Sequence, residues 1–198
     1  MPIGITFEET MTGGFSLEAK EPAAGAKAGA DAGTKLAMHA TVTVPDLDAF
    51  MADPKHLGQL NGTIDFAPLG TGISAKSGIF NLFSPSAKSG LKYMVYELAF
   101  QHDGKPYYLA GKKHVHDDPG VDLLTDTTTL FTKLHSGRDA DAPVIGSGIL
   151  RLDMGDFLKL MSTIKVTGAK SAGQRAMTVA KFGRFFMGEL WNIYGPDL

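Results

Sequence analysis

The feature that most limits the fold is a succession of short segments in which apolar and polar residues alternate, each ended by a turn signal. Leu36 to Val44 sets Leu36, Met38, Ala40, Val42 and Val44 on one face and His39, Thr41 and Thr43 on the other. Tyr93 to His102 sets Met94, Tyr96, Leu98 and Phe100 against Tyr93, Val95, Glu97 and Gln101. A period of two is that of a strand with one wet face. Residues 3 to 9 continue the pattern with Ile3, Ile5 and Phe7. Gly62 to Phe66, Ile79 to Phe83, Tyr107 to His116, Thr127 to His135, Gly148 to Leu152 and Ser162 to Val166 read as further strands. His102-Asp103-Gly104-Lys105, Asp117-Asp118-Pro119-Gly120 and Ser136-Gly137-Arg138-Asp139 are turn sequences. Many strands joined by short turns predict a mainly β domain, an antiparallel meander. Closure into a barrel of roughly eight or more strands removes the sheet edges, so a barrel is expected over a sandwich.

Helical spacing shows at the C-terminal end. Over 171–194, Val179, Phe182, Phe186, Leu190 and Ile193 form one stripe with Gly183 beneath it, while Lys181, Arg184 and Asn192 face away. Gly195-Pro196 ends the helix. The stripe predicts a helix that covers an open end or one face of the barrel. Phe185 and Trp191 sit on its flanks and read as an interface for a homodimer. The competing account buries both flanks in a groove of the same chain.

Ala19 to Thr34 is made of small and charged residues with no large apolar side chain. That composition predicts a mobile loop. The Gly-rich run Gly70 to Gly78 reads as a turn, and its Lys76 misses the spacing of a phosphate-binding loop. TVTVPDLDAF at 41–50 and GILRLDMGDF at 148–157 look alike. Each is a strand followed by an Asp suited to cap a short helix (Asp46, Asp153) and a Phe suited to fold back onto the core (Phe50, Phe157). An internal duplication and a shared corner preference explain this equally well.

Composition narrows the function classes. The chain has 198 residues, enough for one large core over 1–198, and it contains no cysteine. Disulfides, thiolate nucleophiles and Cys-ligated metals are therefore excluded, which fits a reducing compartment, and a cytoplasmic location is expected. The net charge is −2, with the basic residues scattered, so nucleic acid is not an expected partner. No apolar run has the length of a membrane span, and the first residues lack the pattern of a signal peptide.

The candidate chemistry is sparse. His114-Val115-His116 places two imidazoles on one face of a strand, and Asp118 with His39 or His102 could complete a metal set. No third ligand has a diagnostic spacing, so solvated histidines explain the pair better and no metal is expected. Lys113 shares a strand face with Tyr107, Leu109 and Val115. If that face is inward, the ammonium needs an acidic partner or must lose its proton, with Glu97, Asp117 or Asp126 as candidates. A structural ion pair, or a stem buried while the head reaches water, accounts for such a lysine better than a ligand site does. Asp126-Thr127-Thr128-Thr129 reads as a capped turn, and no Gly-x-Ser-x-Gly elbow is present.

Several short motifs together resemble a known protein module. They are Phe7-Glu8-Glu9-Thr10-Met11, Leu109-Ala110-Gly111-Lys112-Lys113, Asp117-Asp118-Pro119-Gly120, Asp126-Thr127-Thr128-Thr129-Leu130 and Phe182-Gly183-Arg184-Phe185-Phe186 with Leu190-Trp191 and Tyr194. They look like the extra segment beside the flavin enzyme in some bacterial sterol-oxidase-like flavoproteins of the GMC (glucose–methanol–choline) type. The resemblance implies a stand-alone version of an accessory domain linked to lipid or sterol chemistry, with an oxidoreductase as an implied partner. It implies no oxidase activity here. No Gly-x-Gly-x-x-Gly follows a strand, so no flavin or other cofactor is expected.

The expected architecture is a barrel, lipocalin-like in outline, with a C-terminal helix. The expected function is binding of a lipid-like or sterol-like apolar or amphipathic molecule inside it, at Lys113, Tyr96, Phe100, Glu97 and Asp126, with Met94, Leu98 and Phe131 supplying apolar surface. The alternatives are an interaction module for an oxidoreductase and an isomerase-type enzyme using Lys113 or a carboxylate as acid or base.

Overall fold

The computed structural model describes residues 1–87, 91–116, 127–152 and 163–194. Its strands are β1 (Gly4–Leu17), β2 (Lys35–Val44), β3 (Leu57–Phe66), β4 (Gly70–Pro85), β5 (Leu91–His102), β6 (Lys105–His116), β7 (Thr129–His135), β8 (Val144–Arg151) and β9 (Lys165–Thr167). The helices are α1 (Pro22–Asp31), α2 (Leu47–Ala52) and α3 (Ala172–Tyr194). Strands β1 to β8 form a closed antiparallel barrel in sequence order, as the alternation predicts. β1 closes it. One edge of β1 pairs with β2 from Ile5↔Val44 to Gly14↔Lys35. The other edge is shared: Gly4 to Thr6 pair with β9, and Thr12 to Leu17 pair with β8.

The alternation decides what fills the interior. Leu36, Met38, Ala40, Val42 and Val44 of β2 are buried, as are Met94, Tyr96, Leu98 and Phe100 of β5 and Leu109, Lys113 and Val115 of β6. Phe15 and Phe66 meet edge to face at 5.2 Å. Among the described residues, no helix is long and apolar enough to cross a membrane.

Two expectations are corrected here. Gly70 to Gly78 is not a turn but the first half of the 16-residue β4. Its polar residues face out, and Gly78 lets β5 come close, since a Cβ there would lie 2.1 Å from the Glu97 carbonyl oxygen. Residues 19–34 are not a loop: they contain α1, which starts at Pro22 and ends before Gly33 at φ +67°. Its missing side chains are the reason it packs. Gly25 and Gly29 are its buried residues. A Cβ would lie 2.0 Å from Ser147 O at Gly25 and 2.2 Å from Phe15 N at Gly29. The helix backbone thus rests directly on β8 and β1, and Ser147 Oγ donates to Glu21 O at 2.9 Å. Close van der Waals contact replaces the large apolar side chains that the composition lacks.

The corner after β2 follows the sequence reading. Asp46 accepts from Asp48 N at 3.0 Å and Ala49 N at 3.1 Å, capping α2, and Phe50 is buried. Asp46→Ala should lower the unfolding free energy by about 1 kcal/mol in urea titration. No change would show that α2 is held by packing alone. The look-alike corner with Asp153 and Phe157 lies outside the described residues, as does the Asp117-Asp118-Pro119-Gly120 turn.

Helix α3 covers one end of the barrel. Phe182 and Leu190 are buried, and Phe182 lies 6.2 Å from Phe7. Phe186 packs on Phe83 at 5.4 Å. Phe185 packs on His56 at 4.9 Å and Phe50 at 6.1 Å. Phe185, expected at an interface, therefore lies against its own chain, where the groove account puts it. The side chain of Trp191 lies outside the described residues. Ion pairs Lys181–Asp48 and Lys92–Glu189 hold the middle and the C-terminal part of the helix.

Candidate site inside the barrel

Beneath α3 the barrel interior contains a small cavity with polar groups on one side. β1 continues its inward alternation past Ile5 and Phe7 to Glu9 and Met11, all buried. β5 contributes Tyr96, and β6 contributes Lys113, 2 % exposed. The register brings these strands' inner faces together. Met94 is opposite Lys113, and Tyr96 is opposite Gly111, whose missing side chain leaves room for Leu130. Lys113 Nζ donates to the Tyr96 hydroxyl at 3.3 Å and lies 4.7 Å from the centre of that ring. The Glu9 carboxyl is near enough to act electrostatically on the Tyr96 hydroxyl. Among the described residues, Glu9 Oε1 is a buried oxygen with no hydrogen-bond partner.

The electrostatics follow from burial. Loss of water lowers the Lys113 pKa, and the nearby Glu9 carboxyl opposes that shift without cancelling it. Burial also raises the Tyr96 pKa well above its usual value, helped by the charge of Glu9. The phenol therefore stays protonated across the physiological range. The group is a row of acid, phenol and amine in the apolar interior of the barrel.

The rest of the cavity is apolar. Phe7, Phe80, Leu82, Met94 and Leu152 form its walls, Thr127 adds to them, and Phe182, Gly183 and Phe186 of α3 close it. Phe80 meets Tyr96 edge to face at 5.2 Å. The volume is about 50 Å³. A water molecule occupies about 30 Å³ in the liquid, so with α3 seated there is room for about one or two heavy atoms. A Cβ on Gly183 would meet nothing within 4 Å. Next to this end, His56 (φ +44°) and Phe83 (φ +53°) adopt left-handed backbone conformations, which are costly for side chains of their size. Both rings touch α3.

Of the expected site residues, the structure brings together Tyr96 and Lys113. Phe100 is buried but lies further along β5, past Leu98, stacked on Tyr107 at 5.4 Å. Glu97 is on the outer face, accepting from Tyr108 Oη at 2.5 Å. Phe131 is exposed and stacks on His114 at 5.2 Å, so it supplies no inner surface. Asp126 and Asp117 lie outside the described residues. The acid facing Lys113 is Glu9, which the sequence reading missed. Its signal was present: one more step of the Ile5, Phe7 alternation puts Glu9 indoors.

Of the histidines weighed as metal ligands, the side chain of His116 lies outside the described residues, and the others have partners elsewhere. His114 also contacts Tyr93 at 5.4 Å. His102 pairs with Asp103 at 3.4 Å. His39 bridges Thr10 Oγ1 at 3.0 Å and Asp65 Oδ2 at 3.1 Å. A hydroxyl, an imidazole and a carboxylate in that order have the composition of a charge-relay triad. Here they span β1, β2 and β3 on the outer surface, and Asp65 also accepts from Gly72 N at 2.6 Å, which lowers its pKa further than His39 does. The arrangement is a cross-strand hydrogen-bond ladder. Among the described residues, no three His, Asp or Glu side chains gather as metal ligands do. No protein-family profile, curated protein or solved structure matches this chain.

Proposed function

We propose that the barrel binds a small amphipathic molecule, with its polar end against Glu9, Tyr96 and Lys113 and its apolar part beneath α3. The observation that supports this reading is the unpartnered Glu9 Oε1 beside an apolar cavity. A buried acceptor without a partner costs about 1–3 kcal/mol, more when charged, and a ligand donor would offset that cost. A lipid-like or sterol-like ligand is the larger version of the same reading. Drug-sized ligands need pockets of about 300–1,000 Å³, so such a ligand requires α3 to move aside. An accessory role beside a GMC-type flavoprotein is a proposal on the motif resemblance alone.

The test is native mass spectrometry of the protein as purified, beside Gly183→Leu. Gly183 lines the cavity, and a Cβ there has open space around it, so a leucine has room to fold over the cavity mouth, and loss of a helical glycine favours folding by about 1 kcal/mol. The expected result is a small-molecule adduct on the unmodified protein that is absent from Gly183→Leu. Saturation at a hundredfold over Kd should add about 2.7 kcal/mol of stability. The reading fails if both proteins are empty and no small amphiphile raises the melting temperature of either.

A further inference from the structure

We propose that Lys113 is a carbonyl-capturing lysine, which condenses with an aldehyde or ketone in the cavity to form an imine. The inference rests on the reading of this cavity as a ligand site, and it names the chemical class of the ligand. Three observations lead to it. The Lys113 amine lines an apolar cavity and is itself buried. Among the described residues, its hydrogen-bond partner is a phenol at 3.3 Å, not a carboxylate in ion-pair contact. Glu9 lines the same cavity, and among the described residues its Oε1 has no hydrogen-bond partner. A lysine kept for structure would be expected in contact with its acid, because an ammonium is costly to bury unless paired. A lysine kept for covalent chemistry needs the opposite: a desolvated, neutral amine with a proton acceptor close by. Burial already lowers its pKa in that direction.

The step balances without any co-reactant. The Nζ lone pair attacks the carbonyl carbon, forming a C–N bond, and the carbonyl π pair moves to oxygen. Glu9 accepts one N–H proton and delivers it to that oxygen, giving a carbinolamine. The second N–H proton follows the same route, the C–O bond breaks, water leaves and C=N forms. The net reaction is amine plus carbonyl to imine plus water. Glu9 ends as it began. Tyr96 holds the amine and lies within electrostatic reach of the carboxyl, so it acts as a positioning residue.

The probe is butanal with sodium cyanoborohydride near pH 7, followed by peptide mapping, with 1-butanol as the non-carbonyl analogue in a thermal-shift assay; both are larger than the cavity and enter it only as α3 moves aside. The expected result is one butyl group on Lys113, formed about tenfold or more faster than on an exposed lysine such as Lys27 or Lys165. Each unit of pKa depression gives about tenfold more free amine. Glu9→Gln, whose amide oxygen still accepts a hydrogen bond, should slow the labelling by a larger factor than it weakens 1-butanol binding, which separates proton transfer from binding. Gly183→Leu should abolish both. The control is Glu9→Leu, Tyr96→Phe, Lys113→Met in one chain, which removes the amine and its polar neighbours and should show no labelling at that position and a smaller 1-butanol shift. If both small molecules raise the melting temperature but Lys113 is labelled no faster than exposed lysines, the imine proposal is wrong and the binding reading stands. If neither molecule raises the melting temperature and Lys113 is unlabelled, both are wrong.

Discussion

Replacing Glu9, Tyr96 and Lys113 together with Leu, Phe and Met should raise the melting temperature, although removing Glu9 or Lys113 alone should lower it. The three side chains are buried in one apolar barrel, and their hydrogen bonding is incomplete. Taking charges out of water costs several kcal/mol each, and only close, complete pairing returns it. A single substitution strands the remaining charge, at a cost of about 3–5 kcal/mol. The triple substitution removes the need for pairing and should gain about 1–4 kcal/mol. For a chain of this size, each kcal/mol moves the melting temperature by about 2–4 °C. The gain should depend on pH. The folded-state pKa of Lys113 lies below its ordinary value of 10.5. Between the two, the unfolded chain binds more protons, so the stability of the unmodified protein rises with pH through that window. The advantage of the triple variant is therefore largest at neutral and lower pH and narrows as pH approaches 10.5. A triple variant less stable than the parent at pH 7 would show that the trio is structural, and would remove the main physical argument for a ligand site.

A second large effect is expected at α1. Gly25→Val and Gly29→Val would drive a side chain into Ser147 O and Phe15 N, backbone atoms of a rigid sheet. Neither contact can relax without lifting the helix. Overpacking of this kind costs about 1–3 kcal/mol per site, and more where backbone is struck. The double variant should lose most of the α1 contact, and trypsin should then cut at Lys27, a position within the helix. Gly183→Ala is the contrast, because its new methyl enters open space and should stabilise the protein by about 1 kcal/mol. Equal melting temperatures and equal protease resistance for the double variant and the parent would show that α1 is held by something other than these two glycines.

The parts of the fold that can be read from the residues are those where the two faces differ in polarity. β2 and β5 alternate without a break, and both lie where the alternation puts them. The inward turn of Lys113 follows from its spacing to Leu109 and Val115, because a strand cannot send every second residue to different faces. The same rule shows why Tyr96 and Glu97 could not both line one interior: neighbours on a strand point opposite ways, and Glu97 faces out. What stays hidden in composition is contact made by absent side chains. Gly25, Gly29 and Gly78 carry no hydropathy, so α1 and the first half of β4 look like loops, yet each glycine marks a close approach of two backbones. Glu9 is hidden for a different reason. A carboxylate reads as surface, and only the alternation around it shows otherwise. Phe185 shows a further limit, since helical spacing gives a stripe's direction and not how deep a groove receives it.

The seam at β1 has a consequence for how the chain is made. Within this barrel β1 leaves the ribosome before its partners, and β2 follows at once, but Thr12 to Leu17 must wait for Gly146 to Arg151. Contacts so far apart in sequence form slowly, since the loop between them must first be closed. Until then β1 and the newest strand each present an unpaired edge to other nascent chains. α1 is synthesised early, and it lies across this same seam, with Gly29 on β1 and Gly25 on β8. Docked on β1 beforehand, it would offer β8 a ready surface on arrival and shorten the time the edge stays open. Weakening that helix should therefore show first as aggregation during synthesis, before any loss in the protein that does reach the folded state.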